Sequence, residues 1–186
     1  MEARRFKTLL FYSLFFFLGL ASINAQLSKI HYIPPLSGPP HPLQSAPDAG
    51  QYLYISTPSA TNVNIVITPI GGAPEAFVVN NVTPVIYEIQ APGDLARGIS
   101  KVFLAADNSN QTARVHTDKG YIVQAVENEI YVALRVKQNF QAAALVSKGG
   151  AALGTQFRIG SFTNYNSDAS MSTFLSVMGT EAGTIL

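Results

Sequence analysis

Between residues 130 and 137 every second side chain is aliphatic. Ile130, Val132, Leu134 and Val136 alternate with Tyr131, Ala133, Arg135 and Lys137. A period of two puts the aliphatic set on one face of an extended strand. Val63, Ile65 and Ile67 repeat the pattern against Asn62, Asn64, Val66 and Thr68. Similar short runs, rich in β-branched and aromatic residues, lie at Gln51–Thr57, Asn62–Thr68, Ala76–Val79, Pro84–Ile89, Ser100–Ala105 and Thr112–Thr117. They continue at Tyr121–Val126, Ile130–Lys137, Ala142–Val146, Gln156–Phe162 and Thr173–Met178. Strand starts spaced by roughly ten residues, with turn residues between, predict an all-β, antiparallel β-sandwich-like domain over residues 51–186. Gln138–Leu145 is the one stretch where alanines leave a helix open.

The expected turns carry suitable chemistry. Gly71-Gly72 can take the positive φ of a tight loop, Lys119-Gly120 offers the same, and Glu127-Asn128 is expected at a hairpin tip. Asp107-Asn108-Ser109-Asn110 reads as a longer turn whose short side chains bond the local backbone.

Two segments precede this domain. Residues 1–25 (MEARRFKTLLFYSLFFFLGLASINA) run from a basic leader through an apolar block to small residues at Ala25. That is the pattern of a secretory signal peptide cleaved after Ala25. A signal anchor is the alternative, although the block falls short of the roughly 20 apolar residues a span needs. Residues 26–50 form a Pro-rich N-terminal segment, with six prolines and two glycines in residues 34–50. Proline fixes φ and donates no ladder hydrogen bond, so this stretch reads as an extended spacer. A proline-rich ligand for a partner groove is the less common alternative.

Of the twelve Lys and Arg, three lie in the leader, leaving nine, and one of the eleven Asp and Glu lies there, leaving ten. A mature chain near charge −1 has no clustered basic face for phosphates, so no nucleic-acid partner is expected. No later stretch is long enough for a membrane span. Cysteine is absent, which removes thiol nucleophiles and thiolate metal sites and fits a bacterial periplasmic, cell-surface or extracellular protein. In that setting the Asn81-Val82-Thr83 and Asn110-Gln111-Thr112 sequons read as turn and strand residues.

Few residues suggest catalysis. His31, His41 and His116 share no ligand-like offset, so no metal is expected. No serine stands in a nucleophile elbow. Glu127 and Glu129 would make a carboxylate pair only if the turn between them brought them together, and a solvated turn is the plainer reading. The Asp107–Asn110 oxygens lack the spaced acidic loop of a calcium site. Gly149–Thr155 (GGAALGT) lacks the Lys-Ser/Thr ending of a phosphate loop and reads as a close-packed loop between strands. Tyr52, Tyr54, Tyr131 and Tyr165, with the Asn164-Tyr165-Asn166 loop, remain as a possible sugar- or protein-binding face, or equally as core and cross-strand partners. No catalytic, cofactor-binding or metal residue is assigned, and no cofactor is expected.

The runs KGYIVQAVENEIYVALRV, QAAALVSKGGAALGTQFRIGSF and FLSVMGTEAGTIL, with the earlier QYLYISTPSATNVNIVITPIGG, carry a family likeness. Over residues 51–186 the chain resembles the N-terminal domain of IgGFc-binding proteins. The versions it resembles most open long surface proteins of gliding bacteria, many of them exported by the type IX system. The most specific pieces are Ala151-Ala152-Leu153-Gly154-Thr155 before an aromatic strand, and Thr180-Glu181 after Val177-Met178. The resemblance implies a non-enzymatic adhesion module of a cell-surface or gliding-motility-associated protein, with an unknown surface glycan or protein ligand. It supplies no catalytic residue to carry over, and immunoglobulin binding does not follow from it. The family pattern continues after the Thr-Glu pair with Asp-Asn-Thr-Thr and a further strand, whereas here Ala182-Gly183-Thr184-Ile185-Leu186 follows. On that pattern the domain is C-terminally incomplete, with more of its own polypeptide as the missing partner. A secreted carbohydrate-active or other hydrolase and a truncated, non-functional gene remnant are the alternatives.

Overall fold

The alternating runs pair into two four-stranded sheets whose apolar faces meet. The computed structural model describes residues 26–37, 50–90, 103–104, 115–138, 141–158, 160 and 175–184. The strands are β1 (Ile30–Ile33), β2 (Leu36–Ser37), β3 (Gln51–Ser56), β4 (Val63–Pro69), β5 (Glu75–Val79), β6 (Val85–Gln90), β7 (Phe103–Leu104), β8 (Tyr121–Ala125), β9 (Tyr131–Gln138) and β10 (Gln141–Val146). One sheet has the order β1-β8-β4-β5 and the other β10-β9-β3-β6, while β2 and β7 form a short separate pair. Every ladder within the two larger sheets is antiparallel, and β2–β7 is parallel. The domain is an all-β sandwich.

The core is the set of aliphatics that the alternation places inward. Ile33, Val63, Ile65, Ile67, Val79 and Val123 from the first sheet meet Leu53, Ile55, Ile130, Val132 and Leu134 from the second layer, none more than 1% exposed. Each such side chain contributes about 1.5–3 kcal/mol by leaving water. That driving force fixes the register, because a slip of one residue would turn the whole set outward.

Two seams join the layers. At one edge, Ser28 and Ile130 exchange backbone hydrogen bonds (3.1 and 3.0 Å), so the chain entering the first sheet is tied to the residue opening β9 in the second. The Ser28 hydroxyl accepts the Gly150 N–H at 3.1 Å and the Ile30 N–H at 3.3 Å, which brings the 3-10 turn Gly149–Ala152 after β10 onto the start of β1. At the other edge, Tyr87 of β6 stacks edge-on against Phe77 of β5 and Tyr121 of β8, with both centroid distances 5.8 Å. The Tyr87 hydroxyl donates to Glu75 at 2.7 Å. Burial pushes Tyr121 up to about 12 and raises Tyr87 further, with the Glu75 carboxylate adding to the second shift. Both phenols therefore stay protonated and available as donors.

Several expectations need correction. The sandwich begins upstream of residue 51, because Ile30–Ile33 of the Pro-rich segment is a core strand paired along its length with β8. Glu127-Asn128 is not a hairpin tip: β8 and β9 belong to different sheets, and residues 126–129 carry the chain from one to the other. Residues 57–62 and 80–84 make the same kind of crossing, and the direct hairpins are β4–β5 and β9–β10. Gly120 takes a positive φ of 103°, but it packs against the Ile33 carbonyl instead of closing a hairpin. Where Thr112–Thr117, Gln156–Phe162 and Thr173–Met178 were expected as strands, residues 115–117, 156–158, 160 and 175–178 are irregular, and the remainder lies outside the described residues. The alanine stretch left open is resolved as strand β10, because its backbone pairs with β9 from Gln141 to Val146. The signal segment, residues 1–25, lies outside the described residues, as do 38–49 of the Pro-rich stretch.

The glycine pair at the first seam offers a sharp test. Gly149 has φ +54°, and a Cβ there would sit 2.2 Å from the Ser28 Cβ, whereas a Cβ on Gly150 would meet only the Ser28 hydroxyl at 3.7 Å. Gly149→Ala is expected to cost more than about 2 kcal/mol from left-handed strain plus the clash. Gly150→Ala is expected to stay within about 0.5 kcal/mol. Denaturant unfolding of the two variants measures both, and equal effects would refute this account of the seam.

Candidate functional site

The outer face of the second sheet gathers the aromatic residues that the sequence singles out. Antiparallel partners share a face, and β3 pairs β9 as Tyr52 with Arg135, Tyr54 with Ala133 and Ser56 with Tyr131. On the other side β3 pairs β6 as Tyr52 with Glu88 and Tyr54 with Ile86. The opposite parity, Leu53 and Ile55 with Leu134 and Val132, fills the core. Tyr52, Tyr54 and Tyr131 are therefore brought together on one half-exposed face, together with Arg135, Glu88 and Ile86, the last 59% exposed.

Local contacts hold these side chains in place. The Arg135 guanidinium lies over the Tyr54 ring, 4.8 Å from its centroid, a contact worth about 0.5–1 kcal/mol at an exposed position. Tyr52 meets Tyr54 edge to face at 6.3 Å. Its ring also leans over Gly50, where a Cβ would come within 2.6 Å of the phenol oxygen. A glycine there gives the tyrosine a flat seat, and its φ of +99° is one that other residues rarely adopt. The face thus offers restrained rings for stacking, a guanidinium donor and a carboxylate acceptor. Tyrosine suits such a role because its rigid ring loses little conformational entropy on contact.

The other candidates are not assembled into a site. His31 is wholly buried on β1, and its Nε2–H donates to the Ile130 carbonyl at 2.9 Å. His116 lies in the irregular approach to β8, and His41 is outside the described residues. Glu127 and Glu129 lie on the crossing between β8 and β9. Both Glu127 oxygens are occupied by Asn64, one by its backbone N–H (2.8 Å) and one by its side-chain amide (2.7 Å), while the backbone carbonyl of Glu129 accepts the Thr57 hydroxyl. These bonds brace the crossing at residues 126–129, as does the Asn128 amide donating to the Ser59 hydroxyl at 3.2 Å. Gly149 and Gly150 of the glycine-rich run face Ser28, so they serve packing at the seam. Asn81-Val82-Thr83 forms an exposed turn in which the Asn80 side chain accepts the Val82 and Thr83 N–H groups. Asp107–Asn110 and Asn164–Asn166 lie outside the described residues.

Among the described residues no group of three His, Cys, Asp or Glu is placed to hold a metal ion, and no described helix is long and apolar enough to cross a membrane. Sequence reading missed Arg135 as a partner of Tyr54, although its parity with Tyr131 was visible in the alternation. It also missed the Tyr87–Glu75–Tyr121 group, whose members are brought together only by sheet stacking. No protein-family model, curated protein or solved structure matches this chain.

Glu127 provides a pH test of the crossing. Hydrogen bonds from the Asn64 side chain and backbone, with the nearby Lys29 charge, hold its carboxyl below the ordinary 4.5. A depressed folded value stabilises the fold above the ordinary pKa, and that stabilisation disappears as pH falls through the folded value. At pH 7 the wild type is expected to melt above Glu127→Gln, with the gap closing below about pH 4. A gap that persists unchanged in acid would contradict the assignment.

Proposed function

We propose that this domain is a non-enzymatic, exported binding module that engages a surface glycan or protein ligand through the outer face of its second sheet. The observation that carries the reading is the convergence of Tyr52, Tyr54, Tyr131 and Arg135 on that face. Export is supported by the leader and apolar block of residues 1–25. The adhesion role in a cell-surface or gliding-motility-associated protein is supported by the resemblance to IgGFc-binding N-terminal domains. Against a hydrolase, the Glu127 carboxylate is engaged by the Asn64 backbone and side chain at an exposed crossing, where it braces the fold.

A glycan array and a panel of extracellular proteins, run beside a broad hydrolase panel, test the reading. The wild type is expected to bind at least one ligand without turnover. Tyr54→Ala is expected to weaken that binding about tenfold or more, as removal of a central aromatic contact does, while lowering stability by less than about 1 kcal/mol. Turnover of any substrate, or binding unaffected by Tyr54→Ala and Arg135→Ala, would overturn it.

A further inference from the structure

His31 is a buried titratable group at the seam. Its side chain has no exposure to solvent, its Nε2 bonds the Ile130 carbonyl at 2.9 Å, and its Nδ1 is buried without a hydrogen-bond partner among the described residues. A carbonyl only accepts, so the ring in the closed fold is the neutral tautomer protonated on Nε2. The same carbonyl also accepts the Ser28 N–H, so the imidazole and the Ser28–Ile130 pairing hold a single point. A second proton, on Nδ1, would put a full charge into the apolar layer.

From this geometry we infer that His31 is an acid-operated latch: its protonation releases β1 and the 149–152 turn from the seam while the rest of the sandwich stays closed. The release is local because β1 is an edge strand of four residues, and its one ladder among the described residues is with β8. Moving β8 or β9 instead would break ladders on both sides. The turn follows β1 because the Ser28 hydroxyl is the acceptor for the Gly150 N–H.

Among the described residues no neighbouring charge compensates an imidazolium. Lys29 beside it on its own chain, Glu127 and Glu129 on the crossing to β9, and Lys148 before the turn are all exposed. Tyr121, next along the inner face of β8, is a protonated phenol, and Tyr32 points to the other face of β1. Burial is the main influence on the ring and lowers its pKa below 6.5, against smaller opposing pulls from the Ile130 and Ser28 backbone. With the folded value lowered, the closed state is fully favoured above 6.5 and loses ground as pH falls from there toward the folded value. More opening is expected at pH 5.5 than at pH 7.5, by up to about tenfold. The inference rests on the seam alone and stands or falls apart from the proposed ligand face.

Hydrogen exchange of the purified protein, corrected for the intrinsic pH dependence of amide exchange, reads it directly. Residues 28–33 are expected to open more at pH 5.5 than at pH 7.5, by up to about tenfold, with β4 unchanged. His31→Gln, which keeps a donor toward Ile130 but does not titrate, is expected to abolish the difference. Equal acid opening in His31→Gln, or opening spread evenly through β4 and β9, would overturn the latch. Should His31→Gln fail to fold, NMR titration of the wild-type ring decides. A ring that stays neutral until the seam opens supports the latch, and a ring that titrates near 6.5 in the closed protein refutes it.

Discussion

The closing of the sandwich at its first edge depends on the pairing of Ser28 with Ile130. Two sheets with inward aliphatics can stack in many ways, and burial alone is non-directional. The reciprocal backbone bonds at 3.0 and 3.1 Å give one edge a fixed position, tying the first sheet to the start of β9. Three further features converge on that point: the His31 ring on the Ile130 carbonyl, the Gly150 N–H on the Ser28 hydroxyl, and Gly149 packed where a Cβ has no room. The opposite edge is held differently, by the rings of Phe77, Tyr87 and Tyr121 and one hydrogen bond to Glu75. Glu75 also blunts an edge strand, since an exposed charge there discourages pairing with another chain.

Much of this architecture is legible in the amino-acid order, because alternation is a local property. β3, β4, β8 and β9 begin within a residue of where their patterns begin, and the inward residues of Val63–Ile67 and Ile130–Leu134 are the ones the period of two selects. The sheet to which each strand belongs is not local. The four residues between Ala125 and Ile130 look like a hairpin turn, and only the pairing of β8 with β4 and β1, against β9 with β3 and β10, makes them a crossing. β1 escaped for a related reason. Four residues carrying a histidine, followed at once by prolines, give too short a period to stand out, yet His31 and Ile33 are among the most buried side chains described.

The candidate face was half visible. The parity of Tyr52 with Tyr54 and of Tyr131 with Arg135 can be read along each strand, but their merger into one surface needs the register between β3 and β9. The seating of Tyr52 over Gly50 and of Arg135 over Tyr54 needs the packed structure. The glycine-rich run shows the converse: its composition suggests a ligand loop, while Gly149 answers to the Ser28 side chain pressed against it. Core and face therefore use the two parities of β3 and β9, one side for cohesion and the other for contact.

The central claim, that the first strand closes the sandwich, is tested most directly by comparing the unfolding of residues 26–186 with that of residues 34–186. Removing β1 uncovers Tyr121, Val123 and Ala125 and deletes the Ser28–Ile130 tie. The account predicts a loss of about 3 kcal/mol or more in a transition that stays cooperative. An unchanged, cooperative melt of the shortened chain would contradict it.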